Sequence, residues 1–240
     1  MLINKMIQIT LVSVLGMVLV TATAFGQNIK TELEQMNKKY TECSSYSMNV
    51  QVKLINTKTD KITAQYNGKA LKSEAQYYAE MMNKVTLITP KSMLIVDHTN
   101  KVIVYSPTNG QQFKGQTTAS ITSNIEQLLA AKKLTVIAED PTKGTKTIEV
   151  KADDPVFEKT HVVINVKKNL LVKLVYFYKN TGDMPYDQLE VMYTDITVNK
   201  SVSSKWFSRK QYISGSGKNI KPVAAYKEYR FYDQTKTAIN

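Results

Sequence analysis

Histidine occurs only twice in these 240 residues, at His98 and His161, so acid–base chemistry near neutral pH has few places to reside. Asp97 precedes His98 in a polar stretch between two apolar runs. Adjacent residues on a strand or tight turn point apart, so the pair reads as turn residues rather than as a dyad orienting a serine. His161 enters a strand-like run. Cys43 is the sole cysteine, which excludes an intrachain disulfide and reads as a small buried hydrophobe. No His or Cys spacing suits zinc. Asp153-Asp154 stands before Pro155, where acidic residues ordinarily form turns. Gly215-Ser216-Gly217-Lys218 imitates the end of a phosphate loop. Tyr212 occupies the place of its first glycine, however, and Asn219 that of the magnesium-binding hydroxyl. Glu149 and Glu190 have no partner at a readable spacing. The expectation is a protein that is not an enzyme, with no cofactor and no metal. A hydrolase with a site assembled from scattered loops stands as a third reading behind two binding functions.

The elements that would position a site begin after residue 26. Lys5 precedes an uncharged apolar run, Met6–Val20, and Ala24-Phe25-Gly26 leads into Gln27. This is the layout of a secretory signal peptide over 1–26, and no cysteine stands at the exit to accept a lipid. The expected mature chain, 27–240, is a single soluble, exported domain. The formal charge is +12, and almost all of the cations are lysines, the only arginines being Arg209 and Arg230. Readout of phosphate and guanine favours arginine, so nucleic acid is not an expected partner. A diffuse positive field still suits anionic surfaces such as lipid headgroups.

Ile29, Leu33, Met36 and Tyr40 recur at helical spacing and predict an amphipathic helix. From Tyr46 the period falls to two. Alternating runs predict strands over 46–54, 62–70, 77–87, 93–96, 101–105, 134–138, 147–151, 157–166, 170–178 and 188–198. Ser123 and Glu126 have capping-box spacing ahead of Ile125, Leu128 and Leu129, predicting one further helix. The run Leu170–Tyr178 is apolar on both faces, as expected of a strand buried on both sides or bordering a cavity. Tyr226–Tyr232 predicts a closing strand. Short connections and no βαβ rhythm give an α+β fold, a curved antiparallel sheet covered by helices.

On the helix, on Gly68-Lys69-Ala70-Leu71-Lys72 and Tyr77-Tyr78-Ala79-Glu80, and above all on the strand–turn–strand Leu94 to Pro107, the chain resembles the LolA-like periplasmic lipoprotein carriers. The resemblance covers the layout of about Ile29 to Val198. It implies an unclosed half-barrel lidded by helices, an apolar cavity shielding acyl chains, and no enzymatic activity. Carriers of that family hold the lid with an arginine from the sheet. No arginine precedes Arg209 here, so that role is not transferred.

The expected function is a periplasmic carrier or chaperone that binds lipoprotein acyl chains or other lipids without covalent chemistry. It would meet membrane-bound donor and acceptor proteins transiently during transport toward the outer membrane. Strand parity selects Val50, Val52, Leu54, Met81, Val85, Leu87, Leu174, Tyr176, Val191 and Tyr193 as ligand-lining residues. Ten methionines suit an adaptable apolar surface. The alternative is an envelope protein-interaction or sensing module on the same scaffold, with aromatics exposed near Trp206 and Tyr226–Tyr232.

Overall fold

The spacing of Ile29, Leu33, Met36 and Tyr40 winds all four onto one face of a helix, α1, over residues 29–42. All four are buried, each worth roughly 1.5–3 kcal/mol against leaving it in water. The structure is a computed structural model that describes residues 29–107, 125, 129, 131, 133–151, 154–179, 182 and 184–234. The expected export signal lies outside the described residues, as does most of the second predicted helix. Its Ile125 and Leu129 are helical, and both join the core that includes the apolar face of α1.

The strands follow as β1 (Ser45–Asn56), β2 (Lys61–Ser73), β3 (Gln76–Met81), β4 (Lys84–Thr89), β5 (Ser92–Asp97) and β6 (Val102–Pro107). After the 108–132 segment come β7 (Lys133–Asp140), β8 (Thr145–Lys151), β9 (Phe157–Asn165), β10 (Leu170–Tyr178) and β11 (Gln188–Val198). The chain end adds β12 (Ile213–Ser214), β13 (Lys221–Pro222) and β14 (Arg230–Asp233) among short 3-10 turns. Twelve strands form one sheet in the order β14-β6-β5-β4-β3-β2-β1-β11-β10-β9-β8-β7. Its two end strands do not pair with each other, so the sheet is unclosed. Every pairing in it is antiparallel except β14 with β6, which is parallel.

Two cores lie on opposite faces. Neighbouring residues of β2 show the division: Ala70 joins the core under α1, and Leu71 joins a second core beneath the chain end. Under α1 the floor is Val50, Val52, Ile148, Val162, Leu171 and Leu174. On the other face the cross-strand row Leu71, Tyr78, Leu87, Leu94 and Tyr105 is covered by Phe207, Tyr212, Ile213 and Ile220. Among the described residues, helices therefore cover less of the sheet than the sequence pattern implies. Among the described residues α1 is the one long helix, and turns of the chain end cover the far face.

Three local features depart from the sequence reading. The run 77–87 is a hairpin rather than one strand, because Met82 and Asn83 both adopt positive φ (52° and 59°) and make a two-residue turn. Strand β10 carries a register shift between Leu171 and Lys173. Leu171 and Leu174 thereby enter the same core, although their numbering places them on opposite faces. The closing strand shortens to β14 and extends the sheet edge instead of sealing it.

Gly68 marks a close backbone approach, as a lone glycine in a strand suggests. A Cβ there would collide with the Glu80 carbonyl and lie 3.2 Å from the Met81 Cα. Gly68→Val is expected to lower stability by about 2–3 kcal/mol, read from the midpoint of a urea unfolding curve at unchanged slope. A wild-type midpoint would mean that β2 and β3 do not meet this closely.

Candidate apolar binding face

Strand β1 sets the face toward α1 with Tyr46, Met48, Val50, Val52 and Leu54. Its neighbours extend it through the register: Val50 opposite Tyr193, Val52 opposite Val191 and Tyr66, Leu54 opposite Leu189 and Ala64. One strand further, Leu174 stands opposite Val191 and Tyr176 opposite Leu189. Helix α1 lies across this surface. At its start, Lys146 of β8 reaches Glu32 at 2.8 Å, with the lysine mostly out of water. In its second half, Lys39 donates to the Lys168 carbonyl. At its end, Lys72 of β2, only 6 % exposed, donates to the carbonyls of Tyr40 (3.3 Å), Thr41 (3.2 Å) and Cys43 (2.8 Å). Those are the carbonyls a helix leaves without intrahelical partners, and a cation there also complements the helix dipole. Cys43 is a buried free thiol whose pKa burial raises, with the Lys72 charge acting against that shift.

Eight of the ten sequence-selected residues share this face: Val50, Val52, Leu54, Met81, Leu174, Tyr176, Val191 and Tyr193. Val50, Val52 and Leu174 are at most 2 % exposed and Tyr193 is buried, so the floor here is filled, in a core shared with α1, Ile125 and Leu129. Leu54, Met81, Tyr176 and Val191 are half-buried, together with Tyr66 and Leu189, which the sequence reading did not select. Desolvation pushes the Tyr176 phenol up to about 12, as expected of a ring in apolar surroundings. Val85 and Leu87 do not join the other eight. The Met82–Asn83 turn pairs Met81 with Lys84, so Lys84, Thr86 and Ile88 carry the α1 face onward. Val85 and Leu87 therefore point to the opposite face, into the core beneath the chain end.

The candidate chemical residues are separately engaged. Asp97 accepts from the Asn100 backbone N–H and side-chain amide, both at 2.9 Å, and pairs with Lys84 at 3.3 Å. His98 Nδ1 lies 3.0 Å from the Tyr229 hydroxyl instead. His161 meets Glu149 at 3.2 Å, and Lys151 and Lys159 crowd the same carboxylate. Asp154 accepts from the N–H groups of Val156 and Phe157, a turn-forming role, while Asp153 lies outside the described residues.

Asp97 also yields a pH prediction. The Asn100 backbone N–H first, then the Asn100 amide and Lys84, hold its carboxyl down at about 2. A folded-state value below the unfolded one stabilises the fold above the unfolded pKa of about 4 and ceases to do so as pH falls toward 2. Thermal unfolding of Asp97→Asn against wild type should show a deficit at pH 6 that disappears near pH 2. A deficit that stayed constant with pH would refute the ionic role.

No protein-family model matches the chain, and no curated protein sequence matches it. Among solved structures, an uncharacterized conserved protein from Thermus thermophilus is similar over 85% of this chain and 98% of its own, at 9% identity and a TM-score of 0.48. A chain of the Pseudomonas aeruginosa MucA/MucB complex is similar over 82% of this chain and 63% of its own, at 8% identity and a TM-score of 0.47. A LolA superfamily protein from Nitrosomonas europaea is similar over 75% of this chain and 97% of its own, at 10% identity and a TM-score of 0.34. What this chain binds must be read from its own side chains.

Proposed function

We propose that the protein is an exported periplasmic carrier or chaperone that holds apolar chains, of a lipid or a lipidated protein, against the α1-covered face of its sheet. The supporting observation is the half-buried apolar row Tyr66, Met81, Tyr176, Leu189 and Val191, continuous with the buried floor, with Leu54 beside Leu189 in the register. Large apolar groups left partly in water gain when a ligand covers them, at about 0.8 kcal/mol per methylene buried. No covalent step or cofactor is required. The row borders α1, so an entering chain either lies along its edge or lifts the helix. No described helix is long and apolar enough to cross a membrane.

Native mass spectrometry of gently purified protein should show a mature chain starting at Gln27 with a lipid adduct. The delipidated protein should take up the uncharged dye N-phenyl-1-naphthylamine saturably. Absence of both adduct and dye uptake rejects the carrier.

One observation favours a second reading, a protein-interaction or sensing module. The floor beneath α1 is filled, with Val50, Val52 and Leu174 out of water. The aromatics expected to serve such a surface are mostly spent inside the fold. Trp206 packs on Tyr78 at 5.1 Å, Tyr226 on Tyr212 and Tyr229, and only Tyr232 is half in water. Pull-down of a defined envelope protein by delipidated, dye-negative protein would establish that reading over the first.

A further inference from the structure

The face opposite α1 carries a cleft of about 590 Å³ between the β2–β3 and β4–β5 hairpin turns and the 3-10 turns that follow Ser203. The volume suits a small organic ligand. Tyr105 and Phe207, both almost fully buried, form apolar wall, and Gln76, Thr89 and Ser92 add neutral polar groups. Among the described residues the charged lining ones are Lys91, Arg209 and Lys210, with no carboxylate.

Arg209 is held in place by neutral acceptors. Its Nη1 donates to the Tyr105 hydroxyl at 2.9 Å and its Nη2 to the Gly215 carbonyl at 3.3 Å. The guanidinium carbon lies 5.5 Å from the centre of the Tyr105 ring. Among the described residues it forms no ion pair, so its charge is oriented without being neutralised. A merely structural arginine, tying the chain end to β6, accounts for the two hydrogen bonds. It does not account for two further lysines beside it or for walls without a counter-charge.

We propose that this cleft binds a small anionic amphiphile, with a carboxylate or phosphate head on Arg209, Lys91 and Lys210 and a short apolar body against Tyr105 and Phe207. A guanidinium fork matches either oxyanion in two-pronged fashion, and one already fixed by Tyr105 loses little rotamer freedom on binding. The site lies on the other side of the sheet from the apolar row and does not depend on the carrier function.

The test is titration of the ¹⁵N-labelled full chain with octanoate, octyl phosphate and octanol, followed by amide chemical shifts. Saturable shifts at Ser92, Tyr105 and Ser208 are expected with an anion and not with octanol. Either anion alone giving this pattern supports the site and identifies its head group. Lys91 and Lys210 are exposed, so Lys91→Glu/Lys210→Glu should fold normally. That variant should weaken the anion about tenfold while leaving uptake of the uncharged dye unchanged. Equal binding of octanol, an unchanged affinity in the double variant, shifts confined to the α1 face, or no shift with millimolar anion would each overturn the proposal.

Discussion

Leu33→Asp is expected to detach α1 from the sheet. Leu33 is fully buried at the centre of the helix's apolar stripe. The substitution removes its burial and puts a carboxylate into the apolar core between α1 and the sheet. Truncating a buried leucine costs roughly 2–5 kcal/mol, and an unpaired charge adds to that unless the helix moves away. A total loss of about 4 kcal/mol or more would leave a domain of ordinary stability marginal. The expected measurement is a large drop in the urea midpoint. Dye binding to native protein should rise, because Val50, Val52 and Leu174 lose their cover. A variant with the wild-type midpoint would show that α1 does not dock through this stripe.

Lys72→Met tests what holds the end of that helix. Methionine reproduces the apolar stem of lysine as far as Cε but removes the ammonium donor from the carbonyls of Tyr40, Thr41 and Cys43, of which that of Tyr40 keeps only the Cys43 thiol. Buried acceptors left unsatisfied cost about 1–3 kcal/mol, partly offset here because a buried cation is also removed. The net loss should be about 2 kcal/mol. It should be concentrated at the C-terminal turn of α1, where amide exchange at residues 40–43 is expected to quicken roughly thirtyfold. Lys72→Arg keeps a donor and should recover part of the protection. If helix displacement admits ligand, dye uptake should increase in Lys72→Met while the rest of the sheet keeps its exchange rates. Unchanged exchange at residues 40–43 would remove Lys72 from this role.

This lysine also shows where sequence reading stops. A lysine beside Leu71 in an alternating strand reads as solvated, because burying an ammonium ordinarily costs more than its stem returns. Lys72 is buried only because a helix formed some thirty residues earlier ends over it and presents bare carbonyls. No local signal in 68–72 carries that information. The sequence reading left the lid-holding role unassigned for want of an arginine. A sheet lysine on the helix-facing side is what the structure places at the end of α1.

The selected lining residues divide for an equally local reason. Parity works within one strand, so Val50, Val52 and Leu54 were legible together, as were Val191 and Tyr193. It breaks wherever a turn or bulge changes the count by one. Met82-Asn83 is an unusual pair for a turn with two positive φ angles, a place commonly taken by Asn-Gly. The run 77–87 therefore reads as continuous, and parity groups Val85 and Leu87 with Met81 although they lie on the opposite face. The bulge in β10 had the opposite effect: it brought Leu171 beside Leu174, where alternation had separated them.

By itself the sequence determined the period of each segment. One helical stripe, Ile29 to Tyr40, and a succession of alternating runs can satisfy their backbones and bury their apolar sides only as a helix on an antiparallel sheet. Those signals are local, set by the direction in which neighbouring side chains point. Tertiary structure alone decided which face each strand gives to which cover. That depends on where distant segments return: α1 over β1 and β8–β11, and residues 202–229 over β2–β6 on the far side. It also decided the charge environment. Arg209 and Tyr105 lie 104 residues apart in the chain, and their contact exists because folding the chain end onto β6 buries enough aromatic surface to hold it there.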